Sequence, residues 1–183
     1  MSPLRILEQF LRTMTTPETY LFTLSDLEGL IPQMTRPAWK MLLNRAVKAK
    51  LLVRVCRGVY LFEVLGRPKG LELYHVVSKV KSGDFNYLSQ ESVLSDLGII
   101  SQVTLQRITV MTTGRSGLLS CGPWGFIEFT HTKKKPEVLM DQLTYDSDRR
   151  LYMASAALAW QDLKAAGRNL DLVDQEALHG HAL

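Results

Sequence analysis

The sequence is poor in the residues that disulfides, metal centres and acid–base catalysis require. Its 183 residues include two cysteines and four histidines. Cys56 and Cys121 are far apart and lack CxxC spacing, which argues against a disulfide framework and a zinc site. The histidines form no HExxH pattern, and no serine lies in a GxSxG motif. The sequence therefore predicts neither an enzyme nor a cofactor, and its cysteine usage is typical of a reducing cytoplasm.

Long apolar runs are also missing. No run approaches the ~18–20 residues that a transmembrane helix requires. The N-terminal stretch MSPLRILEQFLRTM has no apolar segment long enough for a signal peptide. We therefore expect a cytoplasmic protein with no membrane partner. The 46% hydrophobic and 22% charged content is that of an ordinary globular chain, whose length suits one domain or two small ones.

The most informative absence is that of acidic residues between Glu28 and Glu63. This stretch contains seven basic residues, whereas a solvated helix usually mixes both signs because like charges one turn apart repel. Residues 1–70 contain 11 Lys and Arg against 5 Asp and Glu, but residues 141–183 contain 4 against 7. This uneven charge predicts that the N-terminal part of the chain binds a polyanion.

Local signals in this part of the chain predict three helices. Pro3 opens the first helix, Thr23 with Asp26 caps the second, and Thr35 with Pro37 begins the third. In the third helix, apolar residues recur at i, i+3, i+4, i+7 and i+8, which predicts one buried side. These apolar residues are Trp39, Leu42, Leu43, Ala46 and Val47.

A two-stranded ribbon is predicted to follow. The apolar stretches from Leu51 to Val55 and from Val59 to Phe62 flank a turn in which Gly58 suits a left-handed position. We expect the extended segment 20–22 to pair with these strands. Helix, turn, helix and ribbon in this order predict a winged helix-turn-helix that binds double-stranded DNA.

The basic side chains of this unit have different expected roles at DNA. Lys40, Asn44 and Arg45 lie opposite the apolar stripe and are candidates for reading base edges in the major groove. Lys48 is a further candidate contact on the same face, whereas Arg36, at the helix start, is placed for a phosphate. The predicted wing contributes Arg54 and Arg57.

The rest of the chain predicts a mixed α+β domain. Turn-forming residues 66–70 are typical of a linker, so we predict a winged helix-turn-helix domain over 1–67 and an α+β domain over 70–183. Strand patterns follow Arg107, and an Ala-rich helix is predicted over 149–166. The motif Gly114-Arg115-Ser116-Gly117 lacks the P-loop pattern and suits a β-turn. Arg115 is a candidate for a second nucleic-acid or toxin contact.

Two stretches resemble the AbiEi family of antitoxins, from prokaryotic type IV toxin–antitoxin, abortive-infection systems. The first is LLVRVCRGVY, residues 51–60, which is similar to the family's wing. The second runs from Tyr87 to Gly98 and continues in Ile108-Thr109-Val110 and Gly114-Arg115, similar to the start of the family's antitoxin domain. The resemblance implies a repressor that binds repeats in its own promoter. It also implies antiviral defence, in which the protein counteracts a nucleotidyltransferase-like toxin, often without a stable complex.

Two alternatives remain open from the sequence. The chain would also suit a plain winged-helix transcription regulator whose second domain binds a ligand or dimerises. A third possibility is an interaction module whose basic face binds an acidic protein rather than DNA.

Overall fold

The first helix, α1 (Pro3–Met14), begins at the predicted proline, with Ser2 in extended conformation before it. This assignment comes from a computed structural model, which describes residues 1–101 and 106–181. The chain divides into two compact units, unit 1 (residues 1–72) and unit 2 (residues 73–183). The domain limits predicted at residues 67 and 70 stay a prediction.

The other helices of unit 1 begin at their predicted caps. Helix α2 (Leu24–Leu27) follows a capping box, in which the Thr23 side chain accepts from the Asp26 N–H and the Asp26 carboxylate accepts from the Thr23 N–H at 2.7 Å. A 3₁₀ turn (Glu28–Leu30) extends it. Helix α3 (Arg36–Lys48) is capped by the Thr35 hydroxyl, which accepts from the Ala38 N–H.

A three-stranded antiparallel sheet completes unit 1. Its order is β1-β3-β2, so the predicted pairing of the segment near Leu21 with the ribbon is confirmed. Gly58 has a φ of 85° in the turn of the ribbon. A bulge between Arg54 and Cys56 shifts the register, which explains why Val55 and Cys56 are both buried. The strands are β1 (Leu21–Thr23), β2 (Val53–Cys56) and β3 (Val59–Leu61).

The core of unit 1 forms around the apolar side of α3. Trp39 and Ala46 are fully buried, and Leu42 and Leu43 are nearly so. They belong to one cluster with Leu7 and Leu11 of α1, Phe22 of β1 and Leu27 of α2. The apolar stripe read from the sequence is therefore the side of α3 that the fold buries.

The predicted linker contains a buried arginine, so its description as simple turn-forming chain was incomplete. Arg67 is 7% exposed. Its guanidinium donates to Glu63 at 3.0 Å and to Glu72 at 2.6 Å, and it lies 5.3 Å from the ring centre of Tyr20. These contacts link residues 63–72 to Tyr20, the residue just before β1, within unit 1.

Unit 2 is built on a mixed six-stranded sheet of order β6-β7-β5-β4-β9-β8. The pairs β5–β7 and β4–β9 are parallel, and the other neighbours are antiparallel. The strands are β4 (Asn86–Leu88), β5 (Arg107–Thr112), β6 (Gly117–Ser120), β7 (Phe126–His131), β8 (Leu143–Asp146) and β9 (Leu151–Ala154).

Side chains from outside the strands contact both faces of this sheet. On one face, Asp162 of α7 is buried and accepts hydrogen bonds from the Tyr87 and Ser89 hydroxyls and from Lys134. Burial, followed by the charge of Asp162, raises the pKa of Tyr87. On the opposite face, Lys81, just after α4, lies over the ring of Phe129. The helices are α4 (Glu72–Val80), α5 (Gln90–Asp96), α6 (Pro136–Leu139), α7 (Ala156–Ala166) and α8 (Gln175–His181).

The prediction of a helix over residues 149–166 was wrong for its first third. Leu151–Ala154 forms strand β9, which pairs with β8 on one side and β4 on the other. Helix α7 begins only after Ser155, whose hydroxyl accepts from the Leu158 N–H at 3.2 Å. Strand pairing across the sheet thus outweighs the helical propensity of the alanine-rich sequence.

The predicted α+β class is confirmed, with helices and a mixed sheet in the same chain. Among the helices in residues 1–101 and 106–181, none combines the length and apolar character that crossing a bilayer requires.

Replacement of Arg67 by alanine tests the buried ion pair. Removing one partner leaves the buried Glu72 carboxylate without its cation, so we expect a loss of about 3–5 kcal/mol in the free energy of unfolding at pH 7. Urea denaturation of the full chain measures this loss. Lys69→Ala removes only an exposed partner of Glu63 and should cost no more than about 1 kcal/mol.

The loss of unfolding free energy caused by Arg67→Ala should be smaller at acidic pH. Burial raises the pKa of Glu72, but its hydrogen bonds from Arg67 and from backbone N–H groups outweigh burial and hold that pKa below the ordinary value. A carboxyl with a lowered pKa stabilises the fold above its unfolded pKa of about 4.3, and this contribution disappears as the pH falls through the folded pKa. An equal Arg67→Ala loss at pH 7 and pH 3 would contradict this assignment.

Candidate nucleic-acid interface

The exposed side of α3 is almost entirely polar and carries positive charge only. Lys40, Asn44 and Lys48 follow one another at spacings of four residues, so their side chains line one face. Arg45 lies beside them, three residues from Lys48. The burial of Trp39 and its neighbours fixes the helix about its own axis and leaves all four of these side chains exposed.

In the part of the chain that the structure describes, three cations of this face, Lys40, Arg45 and Lys48, have no carboxylate partner. Two arginines of unit 1 outside this face are neutralised, because Arg12 pairs with Glu8 and Arg67 with two glutamates. Like charges this close repel one another, so a bound anion would stabilise this face.

Arg36 differs from the other predicted contacts because it is already paired. Its Nε donates to Glu28 at 3.0 Å, across the connection between α2 and α3. The hydrogen bond with Glu28 raises the pKa of the Arg36 guanidinium. The side chain is exposed, so it remains accessible at the N-terminal end of α3, but its charge is partly compensated.

The ribbon carries the remaining predicted contacts. Arg54 is exposed on β2, and its Nε donates to the Cys56 carbonyl at 3.4 Å. Arg57 is exposed in the turn beside Gly58. Lys50 has a φ of 57° and is also exposed. It adds a cation between α3 and the ribbon that the sequence-based prediction of DNA contacts did not include.

Neither cysteine contributes to an exposed site. Cys56 and Cys121 are both buried and form no disulfide. In residues 1–101 and 106–181, no three side chains of the metal-binding types gather in one place.

Arg115 lies in unit 2, on the turn between β5 and β6. Its side chain is exposed, and its backbone carbonyl accepts from Lys81 Nζ at 3.1 Å. The same turn is held by His131, whose ring nitrogen contacts the Gly114 carbonyl at 2.8 Å. Arg115 belongs to unit 2, whereas α3 belongs to unit 1.

Two features of the face escaped the sequence-based site prediction. Glu28 is eight residues before Arg36, so no helical spacing rule links them. Met41 is 67% exposed in the middle of the basic residues. Its place opposite the apolar stripe was readable from the helical period.

Comparison with known proteins adds no family to this description. No protein-family model matches the chain, and no curated protein matches it.

Replacement of Glu28 by glutamine should release Arg36 and strengthen polyanion binding. We expect the variant to elute from heparin at higher salt than the wild type, because one additional cation becomes free to displace counterions. Glu8→Gln is the matched control, since it adds the same net charge but frees Arg12 on α1, in a similar exposed pair at 2.9 Å. Equal shifts for the two variants would show that only net charge matters.

Proposed function

We propose that the protein is a DNA-binding antitoxin and autorepressor of a type IV toxin–antitoxin operon. In this proposal unit 1 is a winged helix-turn-helix, with α3 as its recognition helix and the β2–β3 ribbon as its wing. The observation that carries the DNA-binding part is the exposed, unpaired and wholly positive face of α3. The antitoxin part rests on the sequence resemblance of residues 51–60 and 87–98.

The arrangement of unit 1 supports the winged-helix proposal. The elements follow the order α1, β1, α2, α3, β2, β3, and β3 lies between β1 and β2. The ribbon therefore starts directly after α3 and returns to pair with the strand that precedes α2. Because β3 pairs with β1, the turn of the ribbon that contains Arg57 would project from unit 1 in a fixed position.

The dimensions of α3 suit the major groove. Its 13 residues span about 20 Å at ~1.5 Å per residue, and a groove about 12 Å wide admits one α-helix. Lys40 and Arg45 would donate hydrogen bonds to acceptors on guanine, and Asn44 would form a bidentate pair of hydrogen bonds with adenine. Lys48, Arg54 and Arg57 would neutralise phosphates, and Arg36 would do so after exchanging Glu28 for a phosphate.

The charge of this face favours nucleic acid over an acidic protein. Lysine is depleted at protein–protein interfaces, whose energy comes mainly from buried aromatic and apolar anchors. The exposed face of α3 has no aromatic side chain. Phosphate binding, in contrast, depends on lysine and arginine and on the release of counterions.

A mobility-shift assay on the DNA upstream of the gene tests the proposal. Lys40→Ala with Arg45→Ala should weaken binding at least about tenfold, since a base contact is worth ~1–3 kcal/mol. Arg12→Ala with Lys164→Ala removes two exposed cations elsewhere and should leave affinity nearly unchanged. Unaltered affinity of the Lys40/Arg45 variant would refute the recognition-helix assignment.

Co-expression with the adjacent downstream gene separates an antitoxin from a plain regulator. We expect that gene to encode a nucleotidyltransferase-like toxin that arrests growth, and the full chain to restore growth. The Lys40→Ala, Arg45→Ala variant should still restore growth when both genes are driven by foreign promoters, because antitoxicity is proposed to reside beyond Gly70. A downstream gene that is harmless would leave the plain winged-helix regulator as the better description.

A further inference from the structure

Met41 is the large apolar side chain on the otherwise polar face of α3. It is 67% exposed, whereas the other apolar side chains of comparable size in this helix, Trp39, Leu42 and Leu43, are almost fully buried. Its position follows from the helical period, since Met41 lies four residues before Arg45 and three before Asn44. Met41 therefore lies among the side chains proposed to reach base edges.

Packing gives no reason for an apolar residue at this position. The side chains packed around the core of unit 1 include the partly buried Met34 and Val47, but Met41 is not one of them. A lysine, glutamate or glutamine would have equal helical propensity here and better hydration. An exposed methionine adds apolar surface that only a binding partner would remove from water.

We propose that Met41 determines specificity by contacting the 5-methyl group of a thymine in the major groove. This inference rests on the proposed function of α3. The thymine methyl is the apolar group that the major groove presents, and apolar side chains recognise it. The unbranched, polarisable thioether of methionine adapts readily to a small apolar group. Neighbouring Asn44 and Arg45 would supply the hydrogen bonds that Met41 cannot.

Replacement of thymine by deoxyuridine in the bound upstream duplex removes this methyl group and keeps every hydrogen-bonding group. The wild-type chain should bind the thymine duplex about fourfold more tightly than the uridine duplex for each methyl contacted, the factor that corresponds to ~0.8 kcal/mol per buried methyl-sized group. Single-position replacements then locate the contact. Mobility shifts at fixed salt measure both affinities.

Variants of Met41 complete the test. Met41→Ala should bind the two duplexes equally, and Met41→Leu should retain much of the preference for thymine. Met14→Ala is the matched control, because Met14 is 52% exposed on α1 and outside the proposed interface; it should behave as the wild type.

The outcomes distinguish this inference from the proposed function. Normal binding of the upstream DNA with equal affinity for both duplexes would overturn the role of Met41 alone. An undiminished thymine preference in Met41→Ala, or a preference lost equally in Met14→Ala, would also overturn it. Failure of the wild-type chain to bind any upstream DNA would overturn the proposed function, and the role of Met41 with it.

Discussion

Burial of one side of α3 is the constraint on which the rest of unit 1 depends. Trp39, Leu42, Leu43 and Ala46 pack into a single core with α1, α2 and the small sheet. Burying a large apolar side chain contributes about 1.5–3 kcal/mol, so rotation of α3 about its axis would expose several such groups at once. The same packing that stabilises the unit therefore holds Lys40, Asn44, Arg45 and Lys48 toward solvent in a fixed arrangement.

Ion pairs are unevenly distributed among the cations that the structure describes. Elsewhere in unit 1, Arg12 pairs with Glu8, and Arg67 pairs with Glu63 and Glu72. In unit 2, Arg149 pairs with Asp96, and Arg168 pairs with Glu91 and Glu128. On α3, Arg36 is paired with Glu28, whereas Lys40, Arg45 and Lys48 lie close together and have no carboxylate partner among the residues that the structure describes. Charge left uncompensated in this way costs stability through repulsion, and a bound polyanion would offset that cost.

Much of unit 1 could be predicted from the sequence because its signals are local. The Thr23–Asp26 capping box, the Thr35 cap and the stripe through Trp39 each lie within a few residues and act through helical geometry. Gly58 marked the ribbon turn because its conformation is left-handed. The buried side of α3, and with it the side that faces solvent, was therefore readable in advance.

The features that were missed depend on contacts between distant parts of the chain. Strand β9 lies in an alanine-rich sequence and is extended because it pairs with β4, more than sixty residues earlier in the chain. Arg67 was placed in a linker because nothing local reveals its burial against Tyr20. The pair between Glu28 and Arg36 crosses a turn whose geometry the sequence does not specify. Each case requires the tertiary fold.

The central claim is that the outward side of α3 and the ribbon turn dock on duplex DNA. Backbone amide chemical shifts of the isotope-labelled full chain, titrated with its own upstream duplex, test this most directly. We expect the largest changes within residues 36–48 and 54–58, with little change around the Glu8–Arg12 pair on α1. Changes confined to residues 73–183, or no changes at low salt, would contradict it.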